Sequence, residues 1–254
     1  ELMQDNGFTV LPYPGYDWRQ DLDTSANELD TFINANIGDA PQVILIGHSM
    51  GGLLARAYVS DPTRALKVAH VITVGTPYWG APLLAQRMLA GQTGLLIDYN
   101  PLWSHNDVRQ VIRNSPGAME LLPSEAYFEL QGYFKPAGVT EPLDFPHTID
   151  YFSTLGQNYG LMTLGRDFHR KYDDFTQNLY VTKYDILTTN HLATPSMVIY
   201  NKCHYLSSDC FNVQNYSGGD QTVPSWSSKM GLLGNTRGVS RLWTFTERNV
   251  KKIC

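Results

Sequence analysis

The sequence has little cysteine: three in 254 residues. They form no C-x-x-C pair and no mixed Cys/His cluster, so no metal site is expected. Long apolar runs are missing too, and none approaches the length of a bilayer-spanning helix. Positive charge is scarce. Lys and Arg number 19 against 24 Asp and Glu, the net charge is −5, and no basic cluster occurs, which argues against nucleic acid as a partner. There is no internal repeat or low-complexity tract. What remains is a chain with enough apolar residues (43%) for a sizeable core and a generous aromatic count of 15 Tyr, 10 Phe and 5 Trp. Such aromatics suit an ordinary core or a cavity for apolar or sugar-like ligands. Cys203 and Cys210 flank a short polar loop and could close a disulfide, and Asn215-Tyr216-Ser217 is a glycosylation sequon. Both lean slightly towards a secreted or lumenal protein.

The chain opens as the end of a helix, then Gly7 and a strand over residues 8–11, then a loop to residue 19. An amphipathic helix follows, with Leu22, Ala26, Leu29 and Ile33 on one face and Gly38 beyond its end. Pro41 opens a strand at 42–46. A helix from residue 53 stops at Asp61-Pro62, and a strand covers 68–74. This alternation predicts a parallel α/β sheet with right-handed crossovers. From 78 to 195 the alternation fails, and helical pieces are expected near 83–89, 106–114, 124–131 and 164–175. A structureless loop of that length is improbable, so this stretch is read as a cap. Trp79, Trp103, Tyr127, Phe128, Tyr133, Phe134, Leu161 and Met162 serve it as its own core or as the lining of a lipid-sized cavity. The expected division is core 1–77, cap 78–195 and core 196–254, with residues 197–200 resuming the sheet and 239–245 its last visible strand.

The chemistry centres on Gly47-His48-Ser49-Met50-Gly51-Gly52. It sits between the apolar run Val43-Ile44-Leu45-Ile46 and a stretch of good helix formers, where a G-x-S-x-G nucleophile elbow belongs. Glycines at 47 and 51 are expected to relieve backbone crowding. Ser49 is then the candidate nucleophile, and the Met50 N–H the candidate oxyanion donor at a helix start. His48 adjoins Ser49 in sequence and cannot approach its Oγ from across a site, so it is read as structural. Asp220, in the glycine turn Ser217-Gly218-Gly219-Asp220, is the candidate acid, in the order Ser then Asp that an α/β-hydrolase fold uses. No histidine follows it. His48, His70, His105, His147, His169, His191 and His204 all precede, so the usual triad order cannot be completed here. The loop giving the second oxyanion N–H is likewise expected upstream of Glu1. The expectation is a sheet without its first strands, with an open edge beside the elbow strand, in the middle of a longer polypeptide.

Four motifs occur in order: Tyr16-Asp17-Trp18-Arg19, the hexapeptide at 47–52, Gly75-Thr76-Pro77-Tyr78-Trp79-Gly80, and Gly219-Asp220-Gln221-Thr222-Val223-Pro224. With the cap stretch from Ser115-Pro116 to Leu121-Leu122-Pro123-Ser124, they make the chain resemble the lecithin–cholesterol acyltransferase family, which includes phospholipid:diacylglycerol acyltransferases and lysosomal phospholipase A2. The resemblance implies an α/β-hydrolase fold with Ser49 as nucleophile, Asp220 as triad acid and Met50 as one oxyanion donor. Residues 16–19 would brace the mouth of the site. Gln221 departs from the family, which usually has glycine there, and the family's histidine would fall at or past Cys254. The implied activity is a serine lipase, phospholipase or acyltransferase on a lipid ester, without metal or organic cofactor, and with contact to a membrane or lipoprotein surface. The alternative is a non-catalytic lipid-binding or scaffold protein on the same fold.

Overall fold

The computed structural model describes residues 2–91, 104–201, 210–229 and 241–245. In order these form α1 (Leu2–Asp5), α2 (Leu22–Asn36), β1 (Val43–His48), α3 (Met50–Tyr58), α4 (Pro62–Ala65) and β2 (Val68–Val74). The cap helices are α5 (Pro82–Ala90), α6 (His105–Arg113), α7 (Pro116–Met119) and α8 (Glu125–Leu130), then, after β3 (Phe134–Pro136), α9 (Phe145–Thr154) and α10 (Tyr159–Tyr172). The chain continues through β4 (Tyr184–Thr189), β5 (Leu192–Tyr200), β6 (Phe211–Gly219), α11 (Ser225–Lys229) and β7 (Arg241–Phe245).

The main sheet has the order β1-β2-β4-β7 and every pairing in it is parallel. Parallel strands need crossovers: α3 and α4 connect β1 to β2, and the cap helices connect β2 to β4, while α2 enters β1. The apolar stripe foreseen on α2 is buried, and the Asp21 carboxylate caps the helix by accepting from the Thr24 N–H at 2.8 Å. It packs with α3 and one face of the sheet, where Leu22, Leu53, Leu54, Tyr58, Val71, Tyr184 and Ile186 are all buried.

Three expectations are corrected. Residues 8–11 form no strand and pair with none among the described residues. β4 belongs to the main sheet although it falls inside 78–195. Residues 197–200 do not resume that sheet; they end β5, which pairs parallel with β3 and antiparallel with β6 in a second, three-stranded sheet. The reason is composition. β5 is apolar because it backs a second core, with Tyr127, Tyr133, Phe134, Phe152, Val198 and Phe211 buried around it. β4 carries Asp185, Thr188 and Thr189 and reads as half-polar, yet it is buried between β2 and β7.

That second core absorbs Tyr127, Tyr133, Phe134 and Met162, with Phe128 and Leu161 partly buried beside them. Of the expected cavity lining they are therefore the cap's own core; Trp103 lies outside the described residues. Trp79 touches both cores. A groove of about 940 Å³ lies elsewhere, along β1 and between α2 and residues 7–16. There, among the described residues, β1 has no strand on the side away from β2, and Ile46 is 56% exposed.

Two buried polar side chains tie the cap to the main core. Arg56 on α3 is fully buried and donates to the carbonyls of Tyr172 (3.2 Å), Asp174 (3.1 Å), Gln177 (2.9 Å) and Asn178 (2.9 Å). Its guanidinium also lies 4.6 Å from the centre of the Phe175 ring. Glu120, at the end of α7, accepts from the Leu22 N–H at 3.0 Å, at the positive end of α2. Burial, which the Leu22 bond only partly offsets, pushes its carboxyl up to about 8, and the nearby Asp21 and Asp23 add to the rise.

A carboxyl raised in the folded state holds its proton where the unfolded chain has lost it. Stability therefore falls as pH rises from the ordinary carboxylate value towards about 8. His169 adds to the same slope. Burial alone would lower its pKa, but Asp173 and the carbonyls of Glu120 and Leu122 raise it above the ordinary value. Glu120→Gln keeps an acceptor for Leu22 and removes only the Glu120 share. The variant should match the parent near pH 5 and exceed it by on the order of 2–4 kcal/mol at pH 8. Chemical denaturation across that range measures this, and parallel pH curves for the two proteins would refute it.

Candidate active site

Ser49 stands between the last residue of β1 and the first of α3, with φ 52° and ψ −125°. Such values are unusual for a residue with a side chain and are stored strain. The turn is held by two backbone bonds, Ser49 N–H to the Val74 carbonyl at 2.9 Å and Gly52 N–H to the Ser49 carbonyl at 3.0 Å. The first anchors the turn to the end of β2. Gly47 is needed as expected: a Cβ there would stand 2.6 Å from the Gly51 carbonyl oxygen. Gly51 is not. A Cβ there would meet nothing within 4 Å, whereas one at Gly52 would overlap the Thr76 hydroxyl. The steric demand thus falls on Gly52, where α3 crosses the loop leaving β2. Met50 is buried and opens α3, so its N–H lacks an intrahelical acceptor. His48 is exposed, on the strand side of the turn.

Asp220 follows β6 in a tight loop closed by the Gly219–Pro224 bridge. Its Oδ1 accepts from the N–H groups of Thr222 (2.9 Å) and Val223 (2.7 Å). Its Oδ2 points at Gly75, 2.8 Å from where a Cβ would stand. Among the described residues Oδ2 accepts no hydrogen bond. Gly75 immediately follows Val74, the residue bonded to Ser49. Ser49 and Asp220 therefore both come to the carboxyl end of β2.

Sequence reasoning singled out the Gly75–Gly80 segment but assigned it no part. Gly75 has φ 58° and leaves room for the Asp220 carboxylate. Ser227, missed altogether, lashes the acid loop to the same segment. Its Oγ donates to the Gly80 carbonyl at 2.6 Å and accepts from the Trp79 N–H at 3.1 Å. Nothing in a Ser-Trp-Ser-Ser string announces that role.

The backbone of residues 18–20 lies against Gly117 in α7. The Gly117 N–H donates to the Arg19 carbonyl at 3.3 Å. A Cβ at Gly117 would overlap the carbonyls of Trp18 and Gln20 and stand 2.9 Å from the Met50 methyl. Arg19 holds Asp17 in an exposed ion pair, and its hydrogen bonds lower the Asp17 carboxyl to about 2.

The described histidines do not complete the constellation. His70 lies 3.2 Å from Asp185 on neighbouring strands, and His147 and His169 bond Asp144 and Asp173 in the cap. The His105 ring lies 3.1 Å from the Gly91 carbonyl. His191 comes near the acid loop, since Leu192 pairs with Gly219, but its Nδ1 is engaged with the Thr189 hydroxyl at 2.7 Å. His204 and Cys203 lie outside the described residues, while Cys210 is disulfide-bonded. Among the described residues no group of three or more His, Cys, Asp or Glu could hold a metal ion, and no helix is long and apolar enough to cross a membrane.

A parallel sheet, a strand–Ser–helix elbow and an acid loop at the sheet's carboxyl edge define an α/β-hydrolase fold. Residues 23–110 match the family profile described as PGAP1-like alpha/beta domain. No curated protein matches. Among solved structures, a chain of the Tle4–Tli4 complex superposes with a TM-score of 0.59 at 19% identity, over 89% of this chain and 60% of that one. The mature Bacillus licheniformis lipase BlEst2 matches at a TM-score of 0.38 and 15% identity over 91% and 69%, too loosely to carry an argument. The chain thus spans 60% of the Tle4–Tli4 relative's length. None of these matches is to the lecithin–cholesterol acyltransferase family.

The Gly52–Thr76 contact leaves no room for one methyl group. Gly52→Ala should cost about 1–3 kcal/mol, the usual range for overpacking a tight core. Thermal unfolding should report it as a drop of roughly 2–8 °C for a chain of this size. An unchanged midpoint would show that α3 can move off the β2 loop.

Proposed function

We propose that the protein is a serine esterase-type enzyme acting on lipid esters through an acyl-Ser49 intermediate. The observation that carries this reading is that the strained Ser49 turn and the Asp220 carboxylate meet the adjacent residues Val74 and Gly75, with Oδ2 accepting no hydrogen bond among the described residues. Ser49 Oγ attacks the ester carbonyl carbon while its proton passes to an imidazole. The oxyanion so formed takes a hydrogen bond from the Met50 N–H. Collapse expels the alcohol with the proton returned to it, leaving the acyl-enzyme, and water or a second alcohol releases the acyl group by the same steps in reverse. Asp220 Oδ2 holds the imidazole in one tautomer and stabilises its cation. That imidazole is supplied from outside the described residues.

The lecithin–cholesterol acyltransferase resemblance supports a long-chain or phospholipid ester as substrate and contact with a membrane or lipoprotein surface. Hydrolysis and transfer differ only in the acceptor, which depends on how far the cap excludes water. The disulfide at Cys210 supports a secreted or lumenal location. A second reading, a non-catalytic lipid-binding or scaffold protein, draws support from the absence of an imidazole on Asp220 among the described residues.

Fluorophosphonate labelling of the protein from its native source, followed by peptide mapping, should place the adduct on Ser49. Ser49→Ala should abolish labelling and cut turnover of a soluble acyl ester by at least about a thousandfold. Equal turnover by the two forms would remove the enzymatic reading and leave the binding one.

A further inference from the structure

The acid loop contains a second strained residue. Gln221, directly after Asp220, has φ 78°, a left-handed conformation that costs a side-chain-bearing residue on the order of 1 kcal/mol. Its side chain explains nothing about this. Its backbone N–H does: it donates to the hydroxyl of Thr194 at 2.9 Å. Thr194 is completely buried on β5, and its hydroxyl in turn donates to the Leu192 carbonyl at 3.0 Å. The same hydroxyl lies so close to Gly219 that a Cβ there would overlap it. Thr194 Oγ1 therefore touches the residues on both sides of Asp220. The ladder between β5 and β6 shifts register between Leu192 and Thr194, and bulges of that kind re-aim a side chain. Here the shift directs the threonine under the loop.

We infer that Thr194 is a positioning residue for Asp220: its hydroxyl pins the strained Asp220–Gln221 turn, so that Oδ1 stays on the loop's own amides and Oδ2 faces the Gly75 side. The inference rests on the reading of Ser49 and Asp220 as nucleophile and acid. Its consequence is specific. Without the pin, Gln221 relaxes towards negative φ and the carboxylate turns away from the imidazole. An imidazole that loses its carboxylate becomes a weaker base, so turnover falls and the acid limb of the pH–rate profile moves to lower pH.

The test compares Thr194→Val, which keeps the shape and removes the hydroxyl, with Thr194→Ser, which keeps the hydroxyl. The readouts are the rate of fluorophosphonate labelling at Ser49 and the pH dependence of kcat on a soluble acyl ester. Thr194→Val should slow labelling at least tenfold, lower kcat with KM unchanged, and shift the acid limb to lower pH. Thr194→Ser should stay within about threefold of the parent. Thr194→Val combined with Gln221→Gly should recover most of the loss, because glycine takes φ 78° without a pin. Parental rates in folded Thr194→Val overturn the inference, as do equal losses in the Val and Ser variants, which would mark a packing effect. Should Thr194→Val alone fail to fold, the double variant decides, and slow labelling by it in folded form overturns the inference. Absence of labelling in the parent protein is a different failure. It removes the enzymatic reading itself, and this inference with it.

Discussion

The structure depends on a chain reversal with no loop to make it. β1 becomes α3 across one residue, and the two elements must then pass within van der Waals distance of each other and of the loop leaving β2. Gly47 permits the first approach and Gly52 the second. The strain this puts on Ser49 is repaid by the burial of α3, whose residues from Gly52 to Tyr58 are all buried. The same burial fixes where the Met50 N–H and the Ser49 side chain lie relative to the sheet, so the geometry of the candidate site follows from the packing of one short helix.

The acid reaches that site by a longer route. Asp220 comes from the end of β6, in a small sheet with its own aromatic core, and not directly from a strand of the main sheet. Two separately packed bodies must therefore agree to within a hydrogen bond. The stitches that secure the agreement pass through the end of β2 and the segment after it: Ser49 to Val74, Asp220 against Gly75, Ser227 to Trp79 and Gly80, and Trp79 packed into both cores. Arg56 and Glu120 perform the same service on the far side, joining the cap to α3 and α2.

Legibility in the sequence tracks how local the cause is. α2, β2, the elbow and the helices at 82–90, 105–113 and 125–130 were readable because their periodicity, caps and glycines lie within a few residues of one another. β4 was not, because its burial comes from neighbours on both sides and its own Asp185, Thr188 and Thr189 argue against it. Residues 197–200 misled for the converse reason, since an apolar run reports burial without saying against what. Residues 8–11 carry strand-like residues without a partner to pair with among those described. Asp220 was readable as part of a motif, while Thr194, whose hydroxyl holds that motif, lies 26 residues upstream and becomes visible only when the register of β5 on β6 is known.

The two oxygens of Asp220 also bear on whether the loop is structural or chemical. An aspartate that merely closes a turn can direct either oxygen to the nearest amides, and rotation between them costs nothing. Here the amides of Thr222 and Val223 take one oxygen, a pinned left-handed residue limits rotation, and a glycine opposite keeps the space before the other oxygen open. A purely structural turn requires neither the strain at Gln221 nor the room at Gly75. A carboxylate that must present one oxygen to an imidazole requires both, because its value lies in direction: a carboxylate offered at the wrong angle neither selects the tautomer nor stabilises the cation. On the proposed reading of Asp220 as the acid, these features of the loop have a use that turn closure alone does not give them.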